Sequence, residues 1–260
     1  MFEPKSGAHS IVEAVVGFAV QRPFSHAEIE SVVASHPKWR EQLPRLGRMS
    51  VVEFTVGPSP QSAHPPAGGV IFDRIKPDGN IAWRLNVNER NILVNCLEYS
   101  RWHEIWPRMH SLLNASAEVA IKPSNRIVNL TLQFIDIFEW NGVQPYDIRQ
   151  LLNLDGRILP ADLAGRGSLW HVHQGWFERL TSLSLQGRAL KRIHIDAVTM
   201  GKTPAVKFDT TIRFDLAEPI VHSDILGTDM GANLYETLHQ ESKRLFRSLL
   251  SSEAAKRIGL

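Results

Sequence analysis

An α+β fold built on antiparallel sheets is predicted by three observations. Apolar residues alternate with polar ones in several short segments, with few exceptions, two long stretches carry helical stripes, and the order strand, helix, four strands, helix is read twice along the chain. The expected architecture is two tandem units, residues 1–124 and 125–260 (or one continuous domain), with helices packed on one face of each sheet. At 260 residues such a chain buries roughly 70 to 75% of its unfolded surface, enough for a substantial core.

Ile11 to Val20 (IVEAVVGFAV) is a continuous, β-branched apolar run, as a central strand requires. A helix start follows, with Ser25 as cap, Glu28 three residues later and the spacing of a hydrophobic staple between Phe24 and Ile29. Its end is expected near Pro37. Strands are expected over Val51–Val56, Val70–Ile75, Ile81–Val87 and Asn91–Glu98. The third is the clearest, because Ile81, Trp83, Leu85 and Val87 alternate with Ala82, Arg84 and Asn86 after the turn sequence Pro77-Asp78-Gly79-Asn80. Between Gly57 and Gly69, four prolines and three glycines predict an exposed loop. Trp102, Ile105, Trp106, Met109, Leu112 and Leu113 then form a helical stripe, with Pro107 expected to kink the helix or delay its start.

The second half opens on a long strand, Arg126 to Trp140, whose apolar side is interrupted by Asp136. That residue is expected to end the buried part of the strand or to pair with an arginine. A short helix is expected over Tyr146–Leu152, then strands over Leu169–Arg179, Ser182–Gln186, Lys191–Thr199 and Ala205–Leu216. In the last, Val206, Phe208, Ile212, Phe214 and Leu216 oppose Lys207, Asp209, Thr211, Arg213 and Asp215. The closing helix, Asn233 to Ser252, aligns Leu234, Leu238, Leu245, Phe246, Leu249 and Leu250. This alternation turns Trp83, Leu85, Phe208 and Phe214 toward the helices and Arg84, His194, Lys207 and Arg213 away from them.

Composition excludes several classes. With 29 basic against 27 acidic side chains and 43% hydrophobic residues, neither disorder nor a general attraction to polyanions is indicated. Cys96, the single cysteine, rules out an internal disulfide and reads as core. The start MFEPKSGAHS has no apolar signal region, and no apolar run approaches the roughly 18 residues of a membrane span, so a soluble cytoplasmic protein is expected. Gly165-Arg166-Gly167 and Gly227 to Gly231 lack the context of a phosphate cradle, and no Gly-x-Ser-x-Gly elbow is present.

The element order resembles that of TATA-binding-protein-like and helix-grip folds. The segments SIVEAVVGFAV, LEYSRWHEIW with Tyr99, Ser100, Trp102 and Glu104, RIVNLTLQFID, RIHID and LHQESKRLF are similar to those of a sporadically distributed bacterial family of uncharacterised proteins of about this length. In that family the middle strand usually reads Gly-Leu-Arg-Tyr-Ile-Asn. Here Thr131 to Asp136 reads Thr-Leu-Gln-Phe-Ile-Asp, so roles attached to the Arg and Tyr do not carry over. The resemblance implies no activity. The family's patchy distribution, similar to that of mobile or phage-defence genes, implies a setting.

The residues leave three functional readings. The favoured one is a non-catalytic binding module without cofactor, expected to be a homodimer, which receives a small molecule or protein partner in the groove between the halves or on the sheet face bearing Arg84, Arg192, His194, Asp196, Lys207 and Arg213. The second is a metal-dependent enzyme. His171 and His173 project from one face of a strand, and His194 and Asp196 do so on a neighbouring one, a donor set that suits Zn²⁺. The third is nucleic-acid binding through Arg84, Asn86, Arg192, Lys207 and Arg213, with Trp83, Trp170 or Trp176 as stacking surfaces. Glu178, Asp196, Asp209 and Asp215 are interleaved with those cations and weaken a phosphate-tracking field.

Overall fold

The computed structural model describes residues 1–49, 68–142, 145–183 and 185–260. Among them are ten strands: β1 (Phe2–Pro4), β2 (Ile11–Val20), β3 (Arg45–Arg48), β4 (Val70–Ile75), β5 (Ile81–Asn88), β6 (Asn91–Cys96), β7 (Ile127–Trp140), β8 (Trp170–Glu178), β9 (Gly187–Met200) and β10 (Thr203–Ile220). The helices are α1 (His26–Ala34), α2 (Trp102–Ala120), α3 (His222–Ile225), α4 (Asp229–Leu249) and α5 (Ser252–Arg257). The strands form one sheet in the order β3-β4-β5-β6-β2-β7-β10-β9-β8, with β1 also paired to β7. β1–β7, β3–β4, β4–β5, β5–β6 and β8–β9 are antiparallel pairs. The fold is therefore mixed α and β on a large antiparallel sheet.

The chain divides into two compact units, each drawing on early and late parts of the sequence. One comprises Met1–Val15, Thr131–Asp215 and Asn233–Leu260; the other comprises Val16–Leu130 and Leu216–Ala232.

In the second of these, α1 starts as its sequence dictates. The Ser25 side chain accepts from the Glu28 backbone, and the Glu28 carboxylate accepts from the Ser25 backbone at 2.8 Å, a complete capping box. Arg22 grips the same carboxylate through both terminal nitrogens, at 2.9 and 2.7 Å, and this pairing holds the Glu28 carboxyl down at about 2. Phe24 and Ile29 are both buried, as a staple requires. The α2 stripe is buried at Trp102, Ile105, Met109, Leu112 and Leu113. The helix starts at Trp102 with Pro107 inside it, so the proline removes one backbone donor without delaying the start. Trp39 meets Phe72 edge-on at 5.4 Å in this core. Gly17 is dictated by space: a Cβ there would lie 2.3 Å from the Ile92 carbonyl oxygen.

In the other unit, Leu245, Phe246 and Leu249 of α4 close over Phe138, Ile193, Ile195, Val206 and Phe208. Phe208 contacts Phe246 edge-on at 5.3 Å. Complete burial of each such side chain contributes roughly 1.5 to 3 kcal/mol. Trp83, Leu85, Phe208 and Phe214 are all buried, whereas Arg84, His194, Lys207 and Arg213 keep partial exposure, as the alternation predicts.

The expected helix over Tyr146–Leu152 is a single 3-10 turn, Ile148–Gln150, which Asp147 caps by accepting from the Arg149 backbone. Propagation fails because the backbone leaves for other partners. Leu152 bridges Leu250, Asn153 donates to Leu249, and Ser251 donates to Leu151. A second 3-10 segment spans Ala161–Gly165. The expected strand Ser182–Gln186 is not formed among the described residues there. The β8–β9 register ends at Glu178 and Ala189, and the described residues Ser182, Leu183, Leu185 and Gln186 lie beyond it. β1 and β3 are too short to leave a periodic signal. The expected strand Val51–Val56 and most of the expected loop 57–69 lie outside the described residues.

Candidate functional site

The β8–β9 hairpin gathers the residues that the histidine pattern singles out. Its register sets His171 against Asp196, His173 against His194 and Gly175 against Arg192. Cross-strand partners project to the same side of a sheet. Burial marks the sides: Val172, Ile193, Ile195 and Ala197 are buried, while His171, His173 and Arg192 are exposed and His194 and Asp196 half-buried. The His173 and His194 rings stack at 5.2 Å with an interplanar angle of 26°. His194 Nε2 lies 3.0 Å from Asp196 Oδ1. The expected adjacency of His171, His173, His194 and Asp196 is thus present. Among the described residues, no three His, Cys, Asp or Glu side chains converge in a geometry that could hold a metal ion. Stacking keeps the His173 and His194 rings parallel rather than aimed at a common point.

The polar face continues onto β10 and β7. Arg192 donates to Thr211 Oγ1 at 3.3 Å, Thr211 donates to Asp209 Oδ1 at 3.3 Å, and Gln133 donates to the same oxygen at 2.7 Å. Arg213 is tied to Asp215, with its Nε 2.8 Å from Oδ1. Lys207 is half-buried in the alternating outward row of β10. Cations and carboxylates therefore neutralise each other locally, and the face carries no basic stripe.

Arg84 belongs to the other unit. It holds the buried Asp73 bidentately, at 2.7 and 3.1 Å, across the β4–β5 pair. Asn86 follows it in the half-buried row of β5. Trp83 is not a stacking surface: it is 3% exposed, its indole donates to Glu98, and the Arg108 guanidinium lies 4.2 Å from its ring centre. Trp170 and Trp176 pack against the core from the inward side of β8. Cys96 is fully buried, and burial pushes its thiol up to about 11, which suits core rather than nucleophile.

Three features escaped the sequence reading. An open pocket of about 670 Å³ lies at the start of β8, lined by Pro160, Leu163, Arg166, Leu169, Trp170, His171 and Val172. Leu169 in its lining is 68% exposed, and Phe177, further along the same side of β8, is 57% exposed. On the inward side of β9, Lys191 is buried between Glu178 and Glu241, with its Nζ 2.9 Å from the latter. Leu169 and Phe177 were detectable as apolar residues in register with His171 and His173. The third was detectable as a lysine in register with Ile193 and Ile195.

Asp136 corrects both sequence expectations. It neither ends the buried stretch nor meets an arginine; it is 1% exposed and accepts from Ser10 Oγ at 2.7 Å. Burial pushes its carboxyl up to about 7, and the serine bond only partly offsets that.

Fold and site together define a mixed α/β protein with a polar, histidine-bearing sheet face. The sequence matches no protein-family model and no curated protein. No helix among the described residues is long and apolar enough to cross a membrane.

Proposed function

We infer that the protein is a non-catalytic recognition module whose binding face is the outward side of the β8–β9 hairpin, assembled as a homodimer. The observation that carries this reading is the cross-strand set of exposed His171, His173 and Arg192 with half-buried His194 and Asp196 on one side of the hairpin, next to the open pocket that His171 helps to line. Such a mixture of apolar surface with a few convergent polar groups suits a ligand or protein segment that has an apolar body and hydrogen-bonding groups. The histidines and Asp196 supply hydrogen bonds, and the pocket at the start of β8 accepts the apolar part. A cytoplasmic location, a bacterial phage-defence or mobile-element setting and descent of the two halves, 1–124 and 125–260, from a duplicated unit with helices on one sheet face belong to the same reading.

A metal-dependent enzyme is the second reading, favoured by the register that brings three imidazoles and a carboxylate to neighbouring positions. His171, His173 and His194 would be the ligands, and Zn²⁺ would supply an activated water. Nucleic-acid binding has less support, because the cations of the face are interleaved with Asp196, Asp209 and Asp215.

One variant separates the first two readings. His171→Ala/His173→Ala protein, purified from its native cells beside the wild type, is expected to retain less co-purifying ligand or partner by mass spectrometry. Its metal content is expected to equal that of the wild type. Wild-type protein carrying near-stoichiometric zinc that the variant lacks would favour the enzyme instead. Equal retention of every co-purifying species would remove the hairpin face from the account.

A further inference from the structure

We propose that β8 is the dimer interface, pairing antiparallel with β8 of a second copy about a twofold axis at His173. This inference rests on the homodimer part of the preceding reading and gives it an address. β8 is the last strand in the sheet order, and among the described residues its backbone hydrogen bonds run only to β9. Sheet edges are usually blunted by brevity, by lysine or proline, or by a bulge. Among the described residues the edge strand at the opposite end is β3, which follows that rule with four residues and an exposed arginine at each end. β8 does not. Its nine residues, WHVHQGWFE, contain no lysine, arginine or proline, and its register with β9 runs without a break.

The occupant is identified by self-complementarity. Leu169 and Phe177, exposed by 68% and 57%, lie on one side of the strand, and His173 is midway between them. Antiparallel pairing about His173 therefore sets Leu169 of each copy against Phe177 of the other, so the two symmetric pairs cover all four large apolar side chains. The same register sets His171 against Gly175, where the missing side chain leaves room for imidazole. On the inward side it sets Trp170 against Trp176, an aromatic cross-strand pair. Residues of equal parity meet throughout, so neither copy has to turn a buried side chain to solvent. The contact is isologous and closes after two copies, as a twofold interface must.

Cysteine substitution at the axis tests this directly, since the native Cys96 is fully buried. His173→Cys places two thiols opposite each other, within the 4.4 to 6.8 Å Cα separation of a disulfide, and mild oxidation is expected to give a covalent dimer. His171→Cys places its two copies four residues out of register, roughly 13 Å apart at about 3.4 Å per residue, and is expected to stay uncrosslinked. Light scattering on Leu169→Lys/Phe177→Lys protein is expected to show at least a tenfold weaker dimer with an unchanged circular dichroism spectrum. A wild-type dimer that this double variant leaves intact, with no His173→Cys crosslink, would overturn the interface while leaving the homodimer in place. A wild-type monomer throughout the micromolar range would overturn both.

Discussion

Lys191→Ala is expected to remove about 2 to 3 kcal/mol of folding stability, less than the roughly 3 to 5 kcal/mol for a partner left uncompensated, because Arg244 still pairs with Glu241. Lys191 stands on the apolar side of β9 between Ala189 and Ile193, 8% exposed, with Glu241 of α4 2.9 Å away and Glu178 of β8 also in contact. Arg244 reaches Glu241 from one turn along α4. Burial raises the Glu241 carboxyl, but hydrogen bonds from Lys191 and Arg244 outweigh it and hold the group below its ordinary value. Without the lysine, Arg244 is left as the cation beside Glu241. Because the folded value is lowered, this contribution is present above the ordinary carboxyl range and lost as pH falls through the folded value. The wild type should therefore lose stability on acidification more steeply than the variant. Lys191→Met/Glu241→Met, which removes both charges and fills the space, should recover most of the loss. Denaturant titration at neutral pH checks the set, and a loss below about 1 kcal/mol for Lys191→Ala would mean that the network behaves as a surface pair.

Asp136→Asn should act in the opposite direction. The native carboxyl titrates at about 7 instead of 3.8 because it is buried, with Ser10 as its hydrogen-bond donor. A raised folded value means that the contribution is complete below the unfolded value, about pH 4, and is lost as pH rises through about 7. At pH 8 the ionised group therefore costs the fold about 4 kcal/mol, from about 1.4 kcal/mol per unit. Asparagine keeps an oxygen to accept from Ser10 and carries no charge. The variant should match the wild type near pH 4 and exceed it increasingly up to pH 8. Parallel stability profiles for the two proteins would show that Asp136 is solvated.

Local chemistry was legible where a single segment contains it. The Ser25 and Glu28 box, the α2 stripe and the alternation of β5 and β10 each need only their own residues. The histidine face was legible for the same reason: residues two apart share a side, and only the pairing of β8 with β9 had to be supplied. What was not legible depends on partners far along the chain. Nothing near Asp136 points to Ser10, which is 126 positions away. The segment Tyr146–Leu152 has the makings of a helix, but Leu250 captures its end. Lys191 interrupts an apolar row just as Asp136 does, yet its partners sit on β8 and α4. Interrupted apolar rows were therefore the signal of buried polar chemistry, although their partners had to come from the fold.

The claim that function resides on the outward hairpin face is tested most directly by photo-crosslinking in native cells. A photoreactive phenylalanine analogue replaces Arg192 on that face or, as control, His103 on α2, where the native side chain is 80% exposed. A discrete adduct by mass spectrometry is expected at position 192 and none at position 103. Adducts at 103 with none at 192 would contradict the claim.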